Sequence, residues 1–201
     1  MSLRLPIFPS KILMALAVAV IFLWTDVAAV QADGGNADGA GWKQMVSRRT
    51  VVHYRSMADL IRFNEKIAYF PGDLAIQSLT AGRDAEGIKG VLKKKLDKLF
   101  ERAQEILGMR KRMDRVNIRI HTNRDDLNKT YREFFGGECR LRAWYLFETQ
   151  TVYVNAEDTH EGMVAHEMGH HIIDHFFKTR PPAATAEILA RYIDANLMAD
   201  Q

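Results

Sequence analysis

The sequence predicts an α+β domain, in which a short, twisted mixed sheet carries helices. Three observations point that way. Short segments of alternating or β-branched character, such as "RVNIRIHT" and "TVYVN", are interleaved with long segments of helical period. Two strand candidates, "RLRAWYLF" and "TVYVN", are separated only by "ETQ", a link that suits an antiparallel hairpin. The helical segments are amphipathic, so each has one face to lay on a sheet.

The first segment stands apart from that domain. "MSLRLPIFPSK" carries Arg4 and Lys11, and an apolar run of 13 residues follows from Ile12 to Trp24. "VQA" then ends in a small residue at Ala32. This layout predicts a secretory signal peptide over residues 1–32 and a secreted or periplasmic protein. A retained membrane anchor is the alternative. It would need ~20 apolar residues, and Asp26 interrupts the run. No stable membrane anchor is expected after cleavage.

Residues 33–45, opening with "DGGNADGAG", read as a flexible lead-in, and residues 46–201 as the domain. Of 201 residues, 169 remain beyond residue 32, enough for one core. The net charge of +3 for the whole chain identifies no partner. Lys93–Lys95 and Arg110–Arg112 are read as a solvated helix face and a loop, and no nucleic-acid partner is expected. Cys139 is the single cysteine, so no internal disulfide can form.

The domain's elements follow in order. "RTVVHYRS" is β-branched and reads as a strand. Ser56, with Asp59 three residues on, caps a helix "MADLIRFNEKIAYF", which Pro71–Gly72 end. "GIKGVLKKKLDKLFERAQEILGM" places Val91, Leu92, Leu96, Leu99, Phe100 and Ala103 on one face of a long helix over the sheet. "RVNIRIHT" sets Val116, Ile118 and Ile120 on one face of a strand and Asn117, Arg119 and His121 on the other. "NRDDLNKTYREFFGG" is a helix ended by Gly136–Gly137. After the hairpin, "AEDTHEG" caps a helix running to about Phe177, before "KTRPP". "AATAEILARYIDANL" is the last helix.

"VAHEMGHHIID", Val164 to Asp174, carries the chemistry. Five of the seven histidines fall between His160 and His175, and His166, Glu167 and His170 form HExxH. Residues four apart share a helix face, ~6 Å apart along the axis. Two imidazoles so placed can converge on one zinc ion at ~2.0–2.1 Å. Glu167 projects to the edge of the same site, where it can take a proton from water. A chance motif on a histidine-rich structural helix is the bland alternative.

"VNIRIHT", "AWYLF", "TVYVN" and "MVAHEMGHHII", in this order, resemble the catalytic half of zincin metallopeptidases. From "GIKGVLKKKLDKLF" to "AEILARYI" the chain is similar to small gluzincin-type domains. The resemblance implies a zincin-like fold: a backing helix, a short sheet, an active-site helix and a C-terminal glutamate helix. It also implies a strand beside the cleft that holds extended peptide, and a glutamate that completes the zinc site.

The third ligand must come from another element. Asp174 shares the face of His166 but lies ~12 Å along the axis, and His171 and His175 point elsewhere. Downstream acids are Glu187, Asp194 and Asp200. Glu187 is the expected ligand, with Asp194 in reserve; pairing with Arg191 at i+4 is the alternative for Glu187. Where the best-known gluzincins have an aspartate four residues after the glutamate, this chain has Arg191, so Asp174 or Asp194 would orient a histidine instead. Tyr192, Tyr153 and His171 are candidate donors to the transition state. Val152, Tyr153 and Val154 are the expected substrate edge strand. Cys139 reads as an unpaired thiol before a strand, with zinc blocking in a latent form as the lesser alternative.

These readings converge on an exported Zn²⁺-dependent peptidase acting on a peptide or protein substrate. The alternatives are a zinc-binding scaffold without turnover and a structural domain without metal.

Overall fold

The computed structural model describes residues 41–69 and 84–198. The expected signal peptide, the first part of the lead-in, Pro71–Gly72 and Asp200 lie outside them. The sheet is built from β1 (Lys43–Val46), β2 (Thr50–Tyr54), β3 (Val116–His121), β4 (Ala143–Leu146) and β5 (Thr151–Asn155). Among the described residues five helices accompany it: α1 (Met57–Lys66), α2 (Ala85–Ile106), α3 (Arg124–Phe135), α4 (Glu161–Phe176) and α5 (Ala183–Asn196). The architecture is α+β, as the sequence predicts.

The strand order is β1-β2-β3-β5-β4. β2, β3 and β5 run parallel, and the two outer strands are antiparallel to their neighbours. β1 begins at Lys43, so the lead-in reading of residues 33–45 is corrected at its end: "KQMV" pairs with β2 from Lys43 opposite Tyr54. Its polar composition hid it, because only Met45 of this strand is buried.

The helix ends follow local chemistry. Ser56 Oγ accepts from Asp59 N at 3.1 Å, the expected N-cap, and donates to the Asp59 carboxylate at 2.6 Å. α1 stops at Lys66, earlier than its apolar pattern suggested. There Lys95 Nζ reaches from α2 to donate to the carbonyls of Asn64 at 2.8 Å and Ile67 at 2.7 Å. Lys95, read as part of a solvated face, is therefore buried as a helix C-cap. Gly136 ends α3 at φ +73°, the left-handed conformation glycine adopts without strain.

One face of the sheet holds the main core. Val52, Ile118, Ile120, Val152 and Val154 meet Leu96, Leu99 and Phe100 of α2 and Val164, Met168 and Ile172 of α4, all at most 1% exposed. The opposite face carries a smaller cluster of Leu127, Cys139, Trp144 and Tyr153 under α3. α4 is thus held between α2, the sheet and α5, with its histidine-bearing face toward α5 and β4.

Candidate metal centre

α4 starts at His160, whose Nδ1 accepts from Met163 N at 3.2 Å. It carries both motif histidines, with ring centroids 5.1 Å apart and planes at 75°. α5 crosses it closely. A Cβ built on Gly169 would lie 2.3 Å from Ile193 Cδ1 and 3.7 Å from Ala190 Cα, so the glycine inside HEMGH is where the two helices touch. That contact brings Glu187 over the histidine pair.

Glu187 Oε2 lies 3.6 Å from His166 Nε2 and 3.5 Å from His170 Nε2. These separations exceed normal N–H···O hydrogen-bond lengths of ~2.7–3.2 Å. They match the edge of a ligand tetrahedron: donors at ~2.0–2.1 Å from a shared zinc ion stand about 3.4 Å apart. Among the described residues, His166, His170 and Glu187 are the one group of three or more His, Cys, Asp or Glu side chains placed to hold a metal ion. The side chains are 19%, 20% and 40% exposed, which leaves a route for solvent and ligand.

Glu187 faces two ways. Oε1 accepts from Arg191 Nε at 2.8 Å while Oε2 faces the histidines. Burial pushes the Glu187 carboxyl up, but the Arg191 hydrogen bond and the two imidazoles outweigh it, and the net shift is downward. Burial and the neighbouring His166 lower the pKa of His170. A neutral imidazole and an ionised carboxylate are the forms that ligate metals.

Glu167 is half-buried as a residue, but its carboxyl is enclosed by protein atoms. Burial and then the negative Glu187 push its pKa up to about 8, against a hydrogen bond from the Tyr145 backbone N–H. No cation pairs with Glu167 among the described residues. Glu167 thus faces the negative Glu187 without a cation of its own, a repulsion that a cation between the two carboxyls would relieve.

The remaining candidates divide. Asp174 is buried; its Oδ1 accepts from Arg180 Nε at 3.1 Å and its Oδ2 has no partner. It lies one turn beyond His170 and contributes to that histidine's electrostatics. Asp194 is exposed and sits over the first turn of α4, where a Cβ on Gly162 would meet its Oδ1. It lies outside the cluster, so the reserve ligand is set aside. Tyr192 is 52% exposed, five residues past Glu187 and so ~140° around the helix from it.

His171 and Tyr153 are corrected as transition-state donors. His171 is fully buried on the other side of α4, 6.1 Å from the Phe100 ring. Its Nε2 donates to the Asp114 carbonyl at 3.3 Å, so Nδ1 accepts from Tyr145 Oη, also at 3.3 Å. Burial, then His175, holds its pKa down to about 4. Tyr153 faces away from α4: it stacks on Trp144 at 5.0 Å on the opposite side of the sheet. Cys139 belongs to that same far cluster and so does not reach His166, His170 and Glu187; burial raises its pKa.

The substrate strand is corrected too. Val152, Tyr153 and Val154 lie in β5, which pairs with β3 on one side and β4 on the other. Among the described residues the outer strands are β1 and β4, and β4, Ala143–Leu146, is the one that packs on α4. Every residue of β5 is buried, the mark of an interior strand, and "TVYVN" carried that signal in its near-continuous apolar run. Tyr145, which the sequence reading passed over, links this edge to the site through its backbone N–H to Glu167 and its hydroxyl to His171. Its register opposite Val152 puts its side chain on the α4 face. No family model, curated protein or solved structure matches this chain.

Proposed function

We propose that this protein is an exported zinc-dependent peptidase. His166, His170 and Glu187 would hold the ion, and Glu167 would act as general base. The observation that carries the reading is the spacing of Glu187 Oε2 from both Nε2 atoms, 3.5 and 3.6 Å, too long for hydrogen bonds and right for shared ligation. When bound, zinc supplies Lewis acidity and acidifies water to a pKa of ~7.

The protein's own groups have distinct tasks. Glu167 takes a proton from water as the oxygen attacks a peptide carbonyl, then delivers it to the leaving amine. With a cation beside it, its enclosed carboxyl would be held in the ionised form that a general base needs, against the upward push of burial and Glu187. The free edge of β4 can add an extended peptide as a further strand, aligning it along α4. Arg191 steadies Glu187 from the solvent side.

The test is zinc stoichiometry on purified protein, read beside turnover of casein by wild type and Glu167→Gln. One zinc per chain, turnover by wild type, and loss of at least ~10²-fold in the variant with zinc retained are expected. Zinc bound without turnover returns the scaffold reading; a chain that binds no zinc leaves the histidine helix structural.

A further inference from the structure

A second site lies away from the metal ligands, in a cleft of about 1160 Å³ between the β1–β2 turn and the chain that follows α2. Cations outnumber carboxylates along its walls by eight to three. Asp97 lies behind the turn, and counting it leaves a surplus of four among these described residues. None of His166, Glu167, His170 and Glu187 lines it.

Both walls are fixed before any ligand arrives. Asp97 accepts from Ser47 Oγ at 2.7 Å and from the backbone N–H of Arg49 at 2.8 Å, which locks the turn that presents Arg48 and Arg49. On the other side Gly108, at φ +63°, turns the chain back after α2. The buried Gln104 amide then donates to the Lys111 carbonyl at 2.8 Å. This sets Arg110, Lys111 and Arg112 along the rim, all exposed. They are the cluster read from the sequence as a solvated loop.

Glu101 and Glu105 splay the arginines without neutralising them. Glu101 takes Arg48 at 2.6 Å, Arg49 at 3.6 Å and Lys98 at 3.9 Å. Glu105 takes Arg110 at 2.7 Å and Arg102 at 3.3 Å. Arg115 donates through Nε to a neutral carbonyl, that of Ser47, at 2.9 Å. Arg49 Nε is buried with no hydrogen-bond partner. The cations are mostly arginine, whose planar fork matches the oxygens of phosphate.

We infer that this cleft binds a compact anion carrying several phosphate groups. The volume exceeds what one phosphate fills. A surplus of four charges needs about two or three phosphates at ~−1.5 to −2 each, whereas carboxylates would have to number about four. Free oligophosphate and lipid-borne phosphate share this chemistry.

Calorimetric titration of the full chain with tripolyphosphate tests the inference. Vesicles of phosphatidylcholine with and without phosphatidic acid form a second arm, and citrate is the carboxylate control. Wild type should bind tripolyphosphate, more weakly as salt rises from ~50 to ~200 mM. Arg110→Glu with Arg112→Glu should weaken binding at least ~10-fold, because two exposed rim charges reverse. Lys43→Glu with Lys129→Glu makes the same change in net charge away from the cleft and should leave affinity within about two-fold. Unchanged circular dichroism in both pairs excludes unfolding as the cause.

Binding of tripolyphosphate alone makes the ligand a free oligophosphate; additional selective binding of phosphatidic acid vesicles makes it lipid-borne. Either supports the site. Three results overturn it: equal affinity for citrate, tighter binding of a short single-stranded DNA than of tripolyphosphate, or wild-type affinity in the rim variant.

Discussion

Replacing Gly169 by alanine should weaken metal binding while leaving the fold standing. The new methyl would sit 2.3 Å from Ile193 Cδ1, where carbon atoms normally approach to ~3.5–4.0 Å. Ile193 and Ala190 are both fully buried, so no open space receives the displaced atoms. Either Ile193 leaves its rotamer, at about 0.5–1.5 kcal/mol, or α5 backs away by roughly an ångström. Alanine's helix propensity offsets ~1 kcal/mol of the strain, so the net loss of stability should stay within about 2 kcal/mol. Zinc ligation is less forgiving, since its bond lengths tolerate only about ±0.2 Å. Glu187 rides on α5, and a retreat of that helix would carry Oε2 out of reach of the shared position. Competition with a chromophoric chelator should report zinc affinity at least ~10-fold weaker, with a melting temperature lower by no more than a few degrees. Ile193→Val deletes the clashing atom and should restore affinity in the double variant. If Gly169→Ala binds zinc like wild type, or if Ile193→Val rescues nothing, helix contact at Gly169 does not position Glu187.

Other substitutions separate the remaining groups. Glu187→Ala should reduce zinc affinity strongly, whereas Arg191→Ala should reduce it less and move stability by under ~1 kcal/mol, because that ion pair is largely exposed; equal effects in chelator competition would contradict the assignment. Asp126 carries a pH signature. The hydrogen bond from His121 Nδ1, with Arg55, holds its pKa well below the usual value, so its contribution is present above the unfolded pKa of ~4 and is lost as pH falls below it. Asp126→Asn should flatten the acid limb of urea midpoints in that range, and an unchanged limb would remove Asp126 as its source. Lys95 has the opposite sign: burial lowers its pKa to about 8, so the unfolded chain holds the extra proton between about pH 8 and ~10.4 and stability should rise with pH across that window. A Lys95→Met variant that kept the rise would place its origin elsewhere.

Much of the fold was legible because it is written in period. Val116, Ile118 and Ile120 alternate, and all three lie in the core. Ser56 and Gly136 end their helices by the chemistry expected of them. β1 was not legible, since an edge strand needs few apolar residues and Met45 alone turns inward. Strand order was not legible either. The zincin resemblance makes "TVYVN" the edge strand beside the cleft, yet β3, far earlier in the chain, claims its other edge. Parallel pairing between distant segments leaves no local mark, and the complete burial of β5 is its only trace in composition.

The candidate site divides along the same line. His166, Glu167 and His170 are fixed by one helix, so their spacing alone predicts their convergence. Glu187 required the angle between two helices, which depends on what each tolerates at the crossing. Gly169 and Ala190 make that crossing close, and small residues inside a motif are easily read as filler. Tyr145 was less visible still, because part of its link to the site is a backbone N–H that any residue could donate. Its hydroxyl adds what the backbone cannot: it donates to His171, whose tautomer the Asp114 carbonyl fixes, and so joins β4 to the chain before β3. The edge strand, Glu167 and the helix between them are thus tied by groups that sequence spacing does not reveal. Tyr145→Phe should leave zinc binding intact and lower stability by about 1–3 kcal/mol, because the buried Nδ1 of His171 loses its donor. The same substitution leaves the N–H to Glu167 in place, so turnover per folded, metal-loaded chain should hold. A large loss of turnover at unchanged stability would mean that the Tyr145 hydroxyl, and not its backbone, serves the reaction.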